Sequence, residues 1–471
     1  MTISSFQENR NAIMFKNTIT AFVYFIAASF TVVAQNPVVQ TIYTADPAPL
    51  VYNDTVFLYA GHDEDSSTWF TMKDWHCYST TDMVNWTHRG APLSIKTFSW
   101  ASKDAWAGQC IFRNGKFYWY VPVNQANGKG MAIGVAVGSS AVGPFADALG
   151  KPLVHSGGGD IDPTVFIDDD GQAYLYWGNP YLKYIKLNED MVSYSGEVVT
   201  VPFTEQGFGK RTGDPKRSTQ YEEGPWLYKR NDLYYLLYPA GGVPEHLAYS
   251  TSNSVTGPWT YRDTIMPIIK KGGAFTNHPG LIDYKGRSYL FYHNGALPGG
   301  GGFTRSVCVD EFTFNGDGGI PRVINTGEGV KPVGNLNPYI RQEAETIAWE
   351  KGVETETSKA TGVYVTGIDN GDYIKVRNVD FGKGTKTFEA SISPAASGGK
   401  IEIYLDSLAG ALVGTLEVSG TGDGQQWVTK SCAVSNAKGI HDLYFLFSGE
   451  ASDLFNFDWW RFSDKKAGKK K

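Results

Sequence analysis

The chain has 471 residues and a formal net charge of −6, which gives room for two or three domains with sizeable cores. That mild negative balance, spread along the chain, excludes the basic face that nucleic acid as a partner requires. Aromatic residues make up 14%, charged residues only 19%, and glycines number 54, a mixture that favours short strands and tight turns over helices.

Lys16 precedes an apolar run over residues 18–34, with the small residues Val32 and Ala34 placed just before Gln35. A basic flank, an apolar core and small residues at the cleavage point describe a secretory signal peptide. The expectation is an exported protein, secreted or periplasmic, with no membrane attachment once residues 1–34 are removed. Cys77, Cys110, Cys308 and Cys432 are too few and too scattered for a disulfide framework or a zinc site, and read as buried free thiols.

Beyond the leader an internal period appears. A turn followed by an aromatic strand recurs as NDTVFLY (53–59), RNGKFYWY (113–120), DDGQAYLYW (169–177), RNDLYYLLY (230–238) and YKGRSYLFY (284–292). Successive copies lie about 55–60 residues apart. Each is followed by a second strand-turn-strand pattern, such as YSTTDMVNWT (78–87) and YSTSNSVTGPWTY (249–261). Five units of four short strands predict a five-bladed β-propeller over residues 37–330.

The strand before each hairpin turn begins DPAPLVY, WAGQCIF, DPTVFID, EGPWLYK or HPGLIDY, so the leading residues are Asp46, Trp106, Asp162, Glu223 and His278. In a propeller the first strand of each blade lines the central channel, so these five side chains should converge near one mouth. Each alone has a bland reading, as a turn aspartate, a core tryptophan or a hydrogen-bonded histidine. Alignment across five units is what those readings do not predict. Of the adjacent pair Glu222 and Glu223, only Glu223 is in register, which leaves Glu222 as a supporting or solvated neighbour.

Two carboxylates flanking a glycosidic bond can hydrolyse it: one protonates the leaving oxygen, the other activates water or attacks directly. A third carboxylate nearby raises the pKa of the acid by like-charge repulsion. An aromatic wall suits the C–H faces of sugar rings.

These residues resemble glycoside hydrolase family 43 along most of residues 37–335, through TADPAPLVYND, DAWAGQCIFRNGKFYWY, DIDPTVFIDDDGQAYLYWG, YEEGPWLYKRNDLYYLLY and TNHPGLIDYKGRSYLFYHN. The resemblance implies an inverting enzyme with Asp46 as general base, Glu223 as general acid and Asp162 tuning and orienting the acid. It implies that His278 sits near a channel calcium or water, and that Arg305, in GGFTRSV, contacts substrate alongside Trp106.

KPVGNLNPY (331–339) reads as a linker, and residues 340–463 as a β-sandwich of jelly-roll type. Their bookends RQEAETIAWE and LFNFDWWRF, with NGDYIKVRNVDFG between, resemble carbohydrate-binding module family 6. The resemblance implies a structural calcium on Glu343, Glu345 and Asp458, and a sugar cleft using Tyr373 and Asn456. The cleft's usual first Trp is replaced by Gly424 in GDGQQW. The tail, 464–471, reads as a solvated basic end.

The expected function is removal of α-L-arabinofuranosyl groups from plant cell-wall polysaccharide (arabinoxylan, arabinan or xylan fragments). β-Xylosidase action with the same trio is the alternative, and a non-catalytic sugar-binding propeller is the reading from another class.

Overall fold

The computed structural model describes residues 35–395, 397–420 and 426–465. The expected signal peptide, Gly424 and residues 466–471 of the tail lie outside these. Among the described residues the only helices are one turn at Glu205–Phe208 and a 3₁₀ turn at Ile95–Thr97.

Five antiparallel sheets follow one another between Thr44 and Phe312. Each opens with the expected hairpin: Thr44–Tyr52 with Thr55–Asp63, Gln109–Arg113 with Lys116–Gln125, Thr164–Ile167 with Ala173–Trp177, Trp226–Arg230 with Leu233–Ala240, and Gly280–Tyr284 with Arg287–Asn294. The turns hold their central residues at positive φ, as at Asn53 and Asp54 (47° and 55°) and at Asn114 and Gly115 (50° and 77°). Two-residue loops of that kind match the twist of the flanking strands.

The repeated aromatic has a recurring task. The hydroxyl of Tyr59 donates to the Ala141 carbonyl of the second blade at 2.8 Å, Tyr120 to Met191 of the third at 2.6 Å, and Tyr176 to Val255 of the fourth at 2.8 Å. Each ring is buried between blades, and its hydroxyl finds a partner on the next blade, which is how a buried tyrosine avoids an unsatisfied polar tip.

The fifth blade departs from the expected four strands. Its sheet has three, ending with Ser306–Phe312. The segment just after residue 34 runs beside that strand: Val38 N–H donates to the Val307 carbonyl at 2.8 Å, and the Asn36 side chain bonds both the N–H and the carbonyl of Val309. The segment after residue 34 thus closes the ring where the sequence pattern placed a fourth strand.

The C-terminal residues form two facing sheets around a separate core that includes Ile374, Phe388, Ile403, Phe445, Phe457 and Trp460. The expected linker is not a free tether. Val333 N–H donates to the Asp82 carbonyl of the first blade, and Leu336 N–H to the Asn378 carbonyl of the sandwich. Thr346–Ile347 pairs with Trp86–His88 and so extends the first blade by a strand. Beside it, the buried Asn85 side chain accepts from Arg377 N–H at 2.7 Å and donates to the Arg377 carbonyl at 2.9 Å. Asn85→Ala removes both bonds and leaves the Arg377 backbone unsatisfied. Denaturant unfolding should show a loss of about 1–3 kcal/mol, with Asn85→Asp no milder, because the Asn85 amide also donates to the buried Asp82 carboxylate at 2.7 Å and an aspartate there would meet it as a like charge.

Candidate active site

The five leading strands converge as their register requires. A narrow axial passage is lined by Asp46–Ala48, Ala107–Gln109, Asp162–Pro163, Gly224–Trp226 and His278–Pro279, one segment from each blade. Asp46 and Asp162 both take left-handed backbone, with φ of 54° and 58°. For a residue other than glycine that is a strained conformation, of a kind that collects at functional sites. In the first blade the strand pairing also slips between Ala45 and Ala48, and such a bulge re-aims the side chain it contains.

Above the passage opens a cavity of about 480 Å³. Asp46, Asp162, Glu223 and His278 face it, as do Trp106 and Arg305. Its wall and rim are aromatic: Phe303 meets Phe70 at 4.8 Å, Phe275 at 5.1 Å and Trp69 at 5.8 Å between ring centres. Trp106 stands one residue before the passage, its indole N–H donating to the Phe70 carbonyl at 3.0 Å. Trp69 and Phe275 are largely exposed at the mouth.

His278 bridges the two outer carboxylates. Its Nδ1 is 3.4 Å from Asp46 Oδ1 and its Nε2 3.3 Å from Glu223 Oε1. Burial works against a charge on this ring, yet Asp46 and Glu223 together raise its pKa to about 10. One imidazole thus stands in contact with both carboxylates, one at each ring nitrogen.

Asp46 is held by two further residues. Arg305 Nη1 donates to Oδ1 at 3.0 Å, and the Asp46 N–H donates to Nδ1 of His293 at 3.2 Å. His293 therefore carries its proton on Nε2, which donates to the Thr276 carbonyl at 2.8 Å. Arg305 is fixed in turn by a two-pronged pair with Asp63, both contacts at 2.9 Å, and lies over the Phe70 ring. Arg305 thus grips the expected base as well as facing the cavity.

Glu223 accepts from Asn179 Nδ2 at 2.6 Å. Burial alone would raise its pKa, but the hydrogen bond and charge of His278, with the Asn179 amide, pull it below the ordinary value. Asp162 shows the opposite. Burial, reinforced by the charges of Glu223 and Asp46, pushes it up to about 8, although its Oδ2 accepts the Gly224 N–H at 3.2 Å. The sequence reading put the raised pKa on Glu223; here burial raises Asp162 despite the charge of His278, whereas the hydrogen bond and charge of His278 outweigh burial at Glu223 and lower it.

Glu222 is not solvated. It is buried, faces the cavity and forms ion pairs with Arg211 and Arg217. Arg217 donates to Asn179 Oδ1 at 3.3 Å, which turns the amide nitrogen of Asn179 toward Glu223.

Asp63, Asn179, Glu245 and His293 were not singled out from sequence. Asp63 and His293 share a signal that would have found them: each is polar at the far end of an aromatic second strand, Thr55–Asp63 and Arg287–Asn294. Glu245 is a buried carboxyl in the cavity, pushed well above its ordinary pKa by burial and the nearby charge of Glu223.

Donor atoms of Asp162, Glu223 and His278 lie within 4.8 Å of one another, a grouping that fits the ion expected near His278, whose ring nitrogens face Asp46 and Glu223. The passage below holds about 20 Å³, room for a single water. In the sandwich, Arg341 bridges Glu343 and Asp458 at 2.7 and 3.3 Å, supplying the positive charge assigned to an ion. Glu345 is buried beside them, with Oε2 lacking any partner, an orphaned oxygen that suits a hard cation. Tyr373 and Asn456 stand on different sheets of the sandwich. Tyr373 belongs to one sheet and lines a cavity with Trp349 and the propeller residues Gln40–Tyr43, whereas Asn456 lies on the other and accepts from Thr366. On the Asn456 sheet, Tyr364 packs against Trp427 at 5.4 Å.

Residues 34–320 match the model of glycosyl hydrolases family 43, and residues 343–464 that of carbohydrate binding module family 6. An arabinoxylan arabinofuranohydrolase from Bacillus subtilis is 35% identical over 93% of this chain and 95% of its own length. One from Paenibacillus polymyxa is 34% identical, over 92% of this chain and 75% of its own. Among solved structures, a Bacillus subtilis arabinoxylan arabinofuranohydrolase in complex with cellotetraose superimposes with a TM-score of 0.79 at 33% identity, covering 92% of this chain and 98% of that one. A β-xylosidase/α-arabinofuranosidase from a compost metagenome, described as a calcium-free form with xylotriose, covers 61% of this chain and 96% of its own, with a TM-score of 0.54 and 31% identity. Propeller, buried acid trio and sandwich together place this chain in glycoside hydrolase family 43, with a family 6 carbohydrate-binding module at its C-terminal end.

Proposed function

We propose that this hydrolase removes α-L-arabinofuranosyl groups from arabinoxylan with inversion. The observation that carries the reading is the pair Asp46 and Glu223, set one imidazole apart at the floor of an aromatic-walled cavity. Likeness to two arabinoxylan arabinofuranohydrolases over more than nine-tenths of this chain supports the substrate.

In this reading Asp46, gripped by Arg305 and His293, takes a proton from water on one face of the sugar. Glu223 gives a proton to the leaving oxygen on the other. Its proton comes from Asp162, with which it shares a cluster: donor atoms of Asp162, Glu223 and His278 all lie within 4.8 Å of one another. A sugar entering the cavity displaces water from Glu223, and desolvation disfavours the carboxylate. The proton held on Asp162 in the free site then moves to Glu223.

The protein is proposed to be exported, on the basic flank and apolar run of residues 16–34. Calcium is proposed to join Glu345 to Glu343 and Asp458 in exchange for Arg341.

Glu223→Gln should lower turnover of arabinoxylan by about 10²–10⁴-fold. An aryl arabinofuranoside, whose leaving group needs little protonation, should lose much less. Asp46→Asn should lose similarly on both. A wild-type enzyme that cleaves aryl xyloside faster than aryl arabinofuranoside would overturn the arabinoside assignment in favour of the xyloside. The pH profile of kcat/KM supplies a further check. Activity needs the shared proton, so it should fall as pH rises through about 8, the value at which Asp162 loses it. Asp162→Asn removes that store and the negative charge beside Glu223, so the falling limb should move to lower pH.

A further inference from the structure

On the first blade, outside the cavity, two histidines and an aspartate meet. His62 Nδ1 is 3.0 Å from Asp74 Oδ1, and His76 Nε2 is 3.3 Å from the same oxygen. All three donor atoms lie within 4.8 Å of one another. We propose that His62, Asp74 and His76 form a second, non-catalytic site for a divalent transition ion of the zinc class.

The strand register builds the cluster. Asp74 and His76 are two apart on Met72–Thr80 and so share a face. On the partner strand Gly61 pairs with Trp75 but Asp63 with Met72, so the pairing slips at His62 and delivers it to that face. Asp63, the next residue, turns the other way to hold Arg305.

Spacing and donor type both select the ion. Donors bound to zinc at about 2.0–2.2 Å in a tetrahedron stand ~3.3 Å apart, close to the two contacts measured here. Two imidazoles and one carboxylate suit zinc and its neighbours, whereas calcium requires six to eight oxygens. The side chains of His62 and Asp74 remain 20% and 30% exposed, which leaves the solvent side open for a water or a fourth ligand.

A second tier supports the first. His76 Nδ1 is 2.8 Å from His88 Nε2, and His88 Nδ1 is 3.0 Å from the Thr355 hydroxyl of the sandwich. With the ion on His76 Nε2, Nδ1–H donates to His88, whose own Nδ1–H donates to Thr355. Ligating histidines are oriented by this sort of outer hydrogen bond. The ion would fix every tautomer in that relay and so clip the propeller to the sandwich.

The test uses the full chain, stripped with chelator and titrated with zinc chloride. Calorimetry should show one saturable equivalent in wild type, lost in His62→Gln and in Asp74→Asn but kept in Glu223→Gln. Wild-type Tm should rise with the logarithm of zinc concentration and that of His62→Gln should not. X-ray absorption on the wild-type complex, which depends on no variant folding, should show two imidazoles and further light-atom donors at about 2.0–2.2 Å. Absence of saturable binding would reduce the cluster to a hydrogen-bonded trio. Retention in His62→Gln, or loss in Glu223→Gln, would move the ion elsewhere and overturn the assignment.

Discussion

The placement of His278 between Asp46 and Glu223 is the contact on which the rest of the site depends. Carboxylates taken out of water at the axis of a propeller survive as anions only when paired. Asp46 has His278 and Arg305, Asp63 has Arg305, and Glu222 has Arg211 and Arg217. Glu223 has His278. Asp162 and Glu245 form no such ion pair, and burial, with the charge of Glu223, raises their pKa values against the pull of His278. The pairing pattern thus decides where the protons sit, and the protons decide which carboxyl can act as acid or base.

The same logic accounts for the supporting residues. Glu222 and Arg217, which pair at the cavity wall, set the Asn179 amide that donates to Glu223. Asp63 is one step removed from the base, acting through the Arg305 fork. A planar guanidinium with two directed contacts holds its orientation better than an ammonium could. Each of these groups works through another, so geometry at the floor of the cavity is fixed from behind.

Much of this was legible in the sequence, because the propeller repeats its turn and its aromatic strand at one spacing. Once the five hairpins were aligned, Asp46, Asp162, Glu223 and His278 followed as channel residues, and the structure brings all four together. Trp106 is displaced slightly, to the wall. What the hairpin alignment alone left out were contacts from the far ends of second strands and from loops. His293 and Asp63 reach Asp46 and Arg305 from second strands, and Asn179 reaches Glu223 from a turn. Neighbouring charges, too, are invisible to a motif: burial raises Asp162, while the hydrogen bond from His278 helps lower Glu223. In the sandwich, motif matching assigned Tyr373 and Asn456 to one cleft without showing that they stand on different sheets.

The strand that the sandwich lends to the first blade has a consequence for solubility. The outermost strand of a blade presents a row of unpaired backbone donors and acceptors, a template on which a second molecule can add. Thr346–Ile347 occupies that row along Trp86–His88. The C-terminal module therefore shields a propeller edge whatever sugar it binds, and a propeller severed before Thr346 would carry an open, adhesive rim.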